Sequence, residues 1–154
     1  MQAALAVQLD ATEVDLTDEE ARELFRGLLL NIRPENRVYR YRFLDNNCTT
    51  KVRDKLQEAL ATAGNVVYRG WEPAAATYRD ALSLPSMEHP WYMFGINLLL
   101  GAGVDEPLTL QAAQFLPLDY MNALDGAYLI GTDGTERKVV CERNILLAEK
   151  KEPA

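Results

Sequence analysis

The stretch YRYRFLDNNCTTKVRD, residues 39–54, places a cysteine between two asparagines and two threonines, where an aromatic segment gives way to a helical pattern. Asparagine is a favoured N-cap residue, so Asn46 or Asn47 predicts a helix that begins near Cys48. Gly64 predicts the end of this helix. The apolar face of the helix is Val52, Leu56, Ala59, Leu60 and Ala63. The pattern therefore puts Cys48 in the first turn of a helix that runs to about Ala63.

The position of Cys48 permits two interpretations. As a nucleophile, it would be helped by the free N–H groups at the start of the helix, which favour a thiolate. As a structural residue, it would be a small apolar side chain on the inward face, four residues before Val52, and buried free cysteines are common. The neighbouring residues alone leave both interpretations open.

A thiolate that performs acyl transfer needs a general base, usually a histidine. His89 is the one histidine in the sequence, and it precedes Pro90 at the start of another apolar helix. We therefore expect His89 to be a cap or surface residue and not the base. Asp45 is one carboxylate that could orient an imidazole, and a surface or capping role is open to it as well. We expect Arg53 and Asp54 to form an ion pair or a helix-end contact.

Upstream of this stretch, the sequence predicts short strands at residues 3–8 and at Val14–Leu16. Thr17 and Glu20 have the spacing of a capping box. A helix with one apolar stripe follows, and Pro34 ends it. The alternation of residues 38–43 predicts an extended strand with an aromatic face.

Downstream, the pattern predicts a strand at Asn65–Tyr68 and a final hairpin around Thr132-Asp133-Gly134, with strands at Ala127–Ile130 and Lys138–Glu142. Helices are predicted at Ala74–Leu82, Pro90–Leu100, Thr109–Phe115 and Asp119–Leu124. The fold class is thus α+β and helix-rich, with a small antiparallel sheet. We expect a single domain over residues 1–148 and a frayed tail at 149–154.

The composition of the chain argues against several classes of function. Sixteen basic and 23 acidic residues give a net charge of −7, which argues against a nucleic-acid partner because phosphate contacts need clustered Lys and Arg. No apolar run approaches the ~20 residues of a membrane-spanning helix. The start, MQAALAVQLDATEVD, lacks a charged segment and a cleavage site, so we expect no signal peptide on this chain. Cys48, Cys141 and one histidine are too few for an ordinary four-ligand zinc site, and we expect neither a metal nor a cofactor.

The segment LTDEEARELFRGLLLNIRPENRVYRYRFLDNNCTTKVRD resembles the Lnb N-terminal periplasmic domain family of bacteria. The resemblance rests on an aromatic segment followed by Asn47-Cys48-Thr49 and then Arg53-Asp54, with PENR at residues 34–37 upstream. The downstream HPWYMFGINLLLG and FLP segments are also similar to the family, so that the resemblance covers roughly residues 14–125.

The resemblance implies a permuted papain-like, NlpC-type thiol fold, of which this chain would be the back half. It implies that Cys48 is the catalytic nucleophile, with Asn47, Thr49 and Asp45 supporting the site. It also implies a periplasmic or cell-envelope location and an envelope lipid or lipoprotein as substrate, acted on by an acyltransferase or amidase-type enzyme. Apolar surface left uncovered in a partial fold permits self-association.

One feature departs from the family pattern. In permuted folds of this kind the catalytic histidine precedes the cysteine, and here no histidine precedes Cys48. Either the histidine lies on a further part of a longer protein, and this chain is inactive alone, or the chain is a non-catalytic binding or scaffold module in which Cys48 is structural.

Overall fold

The computed structural model describes residues 9–83 and 89–147. Helices and small antiparallel sheets make up this part of the chain, which confirms an α+β, helix-rich fold. The elements in chain order are β1 (Leu9–Val14), α1 (Asp18–Asn31), α2 (Cys48–Leu60), β2 (Gly64–Tyr68), α3 (Tyr78–Ser83), α4 (Pro90–Leu99), a 3-10 turn (Ala102–Val104), α5 (Leu110–Ala113), α6 (Pro117–Asp125), β3 (Ala127–Gly131), β4 (Glu136–Lys138) and β5 (Val140–Leu147). The predicted strand at residues 3–8 and the tail at 149–154 lie outside the described residues.

The capping box predicted at the start of α1 is confirmed. The Thr17 hydroxyl accepts from the Glu20 N–H at 3.3 Å, and the Glu20 carboxylate accepts from the Thr17 N–H at 2.8 Å. Glu20 is the buried residue of α1, and it also pairs with Arg137, the middle residue of β4. The capping residue Glu20 therefore also connects the start of α1 to β4, which lies late in the sequence.

Two small antiparallel sheets flank the helices. β1 pairs with β5, and β2, β3 and β4 form a three-stranded sheet in that order. Gly64 is required at the start of β2, because a Cβ there would lie 2.1 Å from the Ile130 carbonyl oxygen. The predicted turn is confirmed, with Gly134 at φ +82° and the Asp133 carboxylate accepting from the Thr135 N–H at 2.9 Å. The predicted second strand, Lys138–Glu142, is wrong: β3 pairs with Glu136–Lys138, and Val140 begins β5, which pairs with β1.

The main core lies between α2, α6 and the three-stranded sheet. Its members are Leu56, Leu60, Tyr120, Leu124, Ala127, Leu129, Val139 and Val140. A second, smaller cluster surrounds Phe115, which is buried between α5 and α6 and meets the rings of Phe43 and Tyr78 edge-on. This cluster lies next to the start of α2 because Asn47 bonds to the Phe115 carbonyl.

Several expectations from the sequence are corrected. Residues 38–43 form no strand in the described structure; Arg42 and Asn46 instead pair their backbones across a tight turn. The strand expected at Val14–Leu16 ends at Val14, where β1 closes against β5. Helix α3 begins at Tyr78, four residues later than expected, since Thr77 and Asp80 cap it there.

Candidate functional site

Asn47 fixes the start of α2. Its side-chain oxygen accepts from the Thr50 N–H at 2.9 Å, and the Thr50 hydroxyl accepts from the Asn47 N–H at 2.9 Å. The same side-chain amide donates to the Phe43 carbonyl at 2.7 Å and to the Phe115 carbonyl at 3.0 Å. The predicted cap at Asn47 is confirmed, and it is held in place by both the preceding loop and the α5–α6 corner.

Cys48 is the first residue of α2, as predicted, and its side chain is exposed. The expectation that it shares an inward face with Val52 is wrong, because Val52 is 62% exposed. The buried face is instead formed by Thr49, Arg53, Leu56 and Leu60, about 100° around the helix from Cys48 at 3.6 residues per turn. The thiol therefore lies at the surface, between the buried residues Asn47 and Thr49.

Three residues close to Cys48 in the sequence, Thr49, Thr50 and Asp45, differ in burial and in hydrogen bonding. Thr50, which the sequence analysis missed, closes the capping box with its hydroxyl. Its signal was its place at the third helical position, where Glu or Gln is the usual partner. Thr49 is buried beside it. Asp45 is exposed and pairs with Arg42 at 2.8 Å.

Arg53 connects α2 to α5. Its Nε and Nη2 donate to the Asp54 carboxylate at 2.9 and 2.7 Å, and its Nη1 donates to the Gln111 carbonyl at 2.7 Å. The expected Arg53–Asp54 ion pair is thereby confirmed. Arg53, Asp45, Thr50 and Tyr78 line a polar cavity of about 200 Å³. Burial raises the pKa of Tyr78, and the nearby Asp45 adds to the increase.

The chain's other thiol and its histidine lie on other elements. His89 is exposed at the N-cap of α4 and makes no side-chain capping bond. Its exclusion as the base stays a prediction. Cys141 is an exposed free thiol on β5. Within residues 9–83 and 89–147, no cluster of three or more His, Cys, Asp or Glu side chains could hold a metal ion. Over the same residues, no helix has the length and apolarity needed to cross a bilayer.

Exposed apolar side chains surround the start of α2. Val38, Tyr39, Tyr41 and Phe43 are exposed in the segment that leads to Asn47. The Lys51 ammonium lies 4.9 Å from the centre of the Tyr39 ring, which places this segment against the first turn of α2. Tyr39, one of these exposed aromatic residues, therefore lies beside the first turn of α2, under the Lys51 ammonium.

These features define a small α+β domain with an accessible cysteine at a rigidly capped helix start. The profile of the Lnb N-terminal periplasmic domain family matches residues 7–83, which include α1, α2 and Cys48. The chain belongs to this family, whose description fits a periplasmic location. Comparisons with curated proteins and with solved structures gave no match. The permuted papain-like topology that the resemblance implies stays a prediction.

Proposed function

We propose that this chain carries the cysteine-bearing part of a cell-envelope thiol acyltransferase or amidase-type domain, with Cys48 as the nucleophile. The observation that supports this most is the exposed thiol at the first position of α2, framed by the buried Asn47. A cysteine that served only to pack the core would be buried. An accessible cysteine at a helix start is the arrangement that favours a reactive thiolate.

In the proposed reaction the Cys48 thiolate attacks an ester or amide carbonyl and forms a tetrahedral oxyanion. The oxyanion collapses to a thioester as the alcohol or amine leaves with a proton. An amine or a water molecule then attacks the thioester, which releases the acyl group and restores the thiol. Among the described residues, the N–H groups of Cys48 and Thr49 have no hydrogen-bond acceptor, whereas that of Thr50 is taken by Asn47. We assign the two free N–H groups to oxyanion stabilisation.

Asn47 and Thr49 act in this proposal by positioning. Asn47 holds the helix start through two carbonyls, and Thr49 is buried at the second position of α2. Asp45 is paired with Arg42 at the turn before α2, and its role is to hold that turn. The general base comes from another polypeptide segment, because we assign His89, the one histidine, to the start of α4. We therefore expect this chain alone to be acylated but to turn over little.

The exposed aromatic segment beside Cys48 supports an apolar acyl donor. Tyr39, Tyr41 and Phe43 lie exposed before the nucleophile, and an acyl chain could pack on them during attack. We propose an envelope lipid or lipoprotein as substrate, in keeping with the periplasmic family. Exposed apolar side chains on α1, namely Phe25, Leu28, Leu29 and Ile32, support self-association of the chain.

Acylation with p-nitrophenyl butyrate tests the role of Cys48. The wild type, Cys48→Ser and Cys141→Ser are treated at neutral pH, and the butyrylated peptides are followed by mass. We expect Cys48 to be acylated much faster than Cys141, and Cys141→Ser to behave as the wild type. Equal rates at the two exposed thiols would contradict the proposal, because exposure alone would then explain the reactivity. Acylation of Cys48 only after unfolding would favour a scaffold module with a structural cysteine.

A further inference from the structure

A second concave site lies beside the α5–α6 corner. It is a cavity of about 420 Å³ in the smaller hydrophobic cluster, between the segment before α3, helix α3 itself and the α5–α6 corner. Nine of its ten lining residues are apolar, so water inside it gains few hydrogen bonds. Small side chains form part of its lining, namely those of Ala75, Ala81 and Ala113. No residue of α2 lines it.

Asp119 is the one charged residue that lines this cavity. It is the third residue of α6 and is partly buried. In the part of the chain that the structure describes, its carboxylate makes no hydrogen bond and no ion pair. Burial raises its pKa, and no neighbouring group offsets that effect. The start of α6 favours a negative charge, but it leaves the carboxylate without a donor partner.

An apolar cavity with one unpaired carboxylate favours a ligand that has both an apolar part and a hydrogen-bond donor or cation. Cavities of ~300–1,000 Å³ with a few placed polar groups are typical of small-molecule sites. A cation or N–H donor complements the carboxylate, and an alkyl group complements the alanine-lined wall. A ligand that supplies both would remove the cost of desolvating Asp119 and of leaving the apolar wall hydrated.

We propose that this cavity binds a small amphiphile with an alkyl chain and a primary ammonium head. The alkyl chain packs against Ala75, Ala81 and Ala113, and the ammonium donates to the Asp119 carboxylate. The ligand is cationic because Asp119 is the one charged residue among those that line the cavity, and because the chain carries a net charge of −7. This site goes beyond the proposed acyl-transfer function, since Cys48 has no part in it.

Binding of n-hexylammonium, followed by the methyl resonances of Leu108 and Leu116, tests the proposal. Hexanol and hexanoate have the same chain without the cation and serve as matched ligands. We expect hexylammonium to bind at least ten times more tightly than hexanol, and hexanoate to bind more weakly than either. Asp119→Asn should lower the affinity for hexylammonium at least tenfold and leave that for hexanol unchanged.

Two further variants serve as controls: one removes a carboxylate outside the cavity, and the other fills the cavity. Glu72→Gln removes an exposed carboxylate beside Pro73, at the edge of the cavity, and should leave hexylammonium binding unchanged. Ala81→Leu fills the cavity and should abolish binding of both hexylammonium and hexanol, with the folded state checked by circular dichroism. Equal affinities for hexylammonium and hexanol, or equal losses in Glu72→Gln and Asp119→Asn, would overturn the proposal. Absence of binding by the folded wild type at millimolar hexylammonium would overturn it as well.

Discussion

Asn47 and Phe115, 68 residues apart in the sequence, are joined by a hydrogen bond of 3.0 Å from the asparagine amide to the phenylalanine carbonyl. The same amide donates to the Phe43 carbonyl at 2.7 Å. One buried side chain therefore fixes the start of α2 against both the preceding loop and the α5–α6 corner. The position of the Cys48 thiol depends on this connection.

Asn47→Ala should destabilise the fold by about 2–4 kcal/mol, since loss of an N-cap costs ~0.5–2 kcal/mol and an unsatisfied buried polar group ~1–3 kcal/mol. Asn47→Asp keeps the cap oxygen but cannot donate to the two carbonyls, so it should also destabilise. Asn46→Ala is the matched control, because its amide makes one exposed bond, to the Arg40 carbonyl. Urea unfolding gives the three free energies, and equal losses at Asn46 and Asn47 would contradict this account.

Arg53→Ala should cost about 2–3 kcal/mol, because it removes the stem that packs in the core and the charged donor to the Gln111 carbonyl, which then keeps only the Gln114 N–H. Arg53→Lys should recover only part of this loss, because an ammonium cannot reproduce the planar fork that bonds Asp54 and Gln111 together. Arg40→Ala, at an exposed arginine, should stay within ~0.5 kcal/mol of the wild type. A loss in Arg53→Lys as small as that in Arg40→Ala would show that the guanidinium geometry is not used.

Local signals predicted the ends of elements well. Thr17 with Glu20, Asn47 before α2, and the Asp133-Gly134 turn each satisfy their own backbone groups within a few residues. The hydrogen bonds that stabilise these motifs join residues close in the sequence, so the surrounding fold has little influence on them. This is why the position of Cys48 in the first turn of α2 could be predicted from the sequence.

Patterns that need a distant partner were harder to interpret. The alternation in residues 38–43 is typical of a strand, but a strand forms only where another strand accepts its hydrogen bonds, and the described structure provides none there. The buried face of α2 includes the polar residues Thr49 and Arg53. The apolar stripe through Val52 therefore predicted the wrong face of the helix as buried. Burial of Arg53 depends on the Gln111 carbonyl, and a backbone carbonyl has no signature in the sequence.

Glu20 predicts a stability that depends on pH. Burial opposes its ionisation, but the Thr17 N–H and the Arg137 guanidinium outweigh burial and lower its pKa below the ordinary 4.5. Because the folded pKa is below the unfolded one, the stabilisation is complete above the unfolded value and is lost as pH falls through the folded value. Glu20→Gln should therefore be less stable than the wild type at pH 7, and the difference should shrink below about pH 4.5.

Urea unfolding of both proteins at pH 7, 5 and 3 checks this dependence. Glu19→Gln is the control, since Glu19 is an exposed carboxylate in the same helical turn. Its difference from the wild type should stay small at every pH. A difference between wild type and Glu20→Gln that stays constant from pH 7 to pH 3 would show that ionised Glu20 contributes nothing.

The outer face of α1 predicts self-association. Phe25 is 62% exposed and Ile32 is 67% exposed, and Leu28 and Leu29 lie exposed between them. Contiguous apolar surface of more than a few hundred Å² is unusual on a monomer, and a second copy of α1 packed on the first would remove it from water. We therefore expect the chain to sediment as a dimer at micromolar concentration, and Phe25→Gln/Ile32→Gln to sediment as a monomer with its helix content retained. Leu98→Gln/Leu99→Gln is the matched control, because these side chains are 74% and 87% exposed on α4. If this variant dissociates the dimer while the α1 variant does not, the contact lies on α4. A wild type that sediments as a monomer throughout would exclude self-association through either helix.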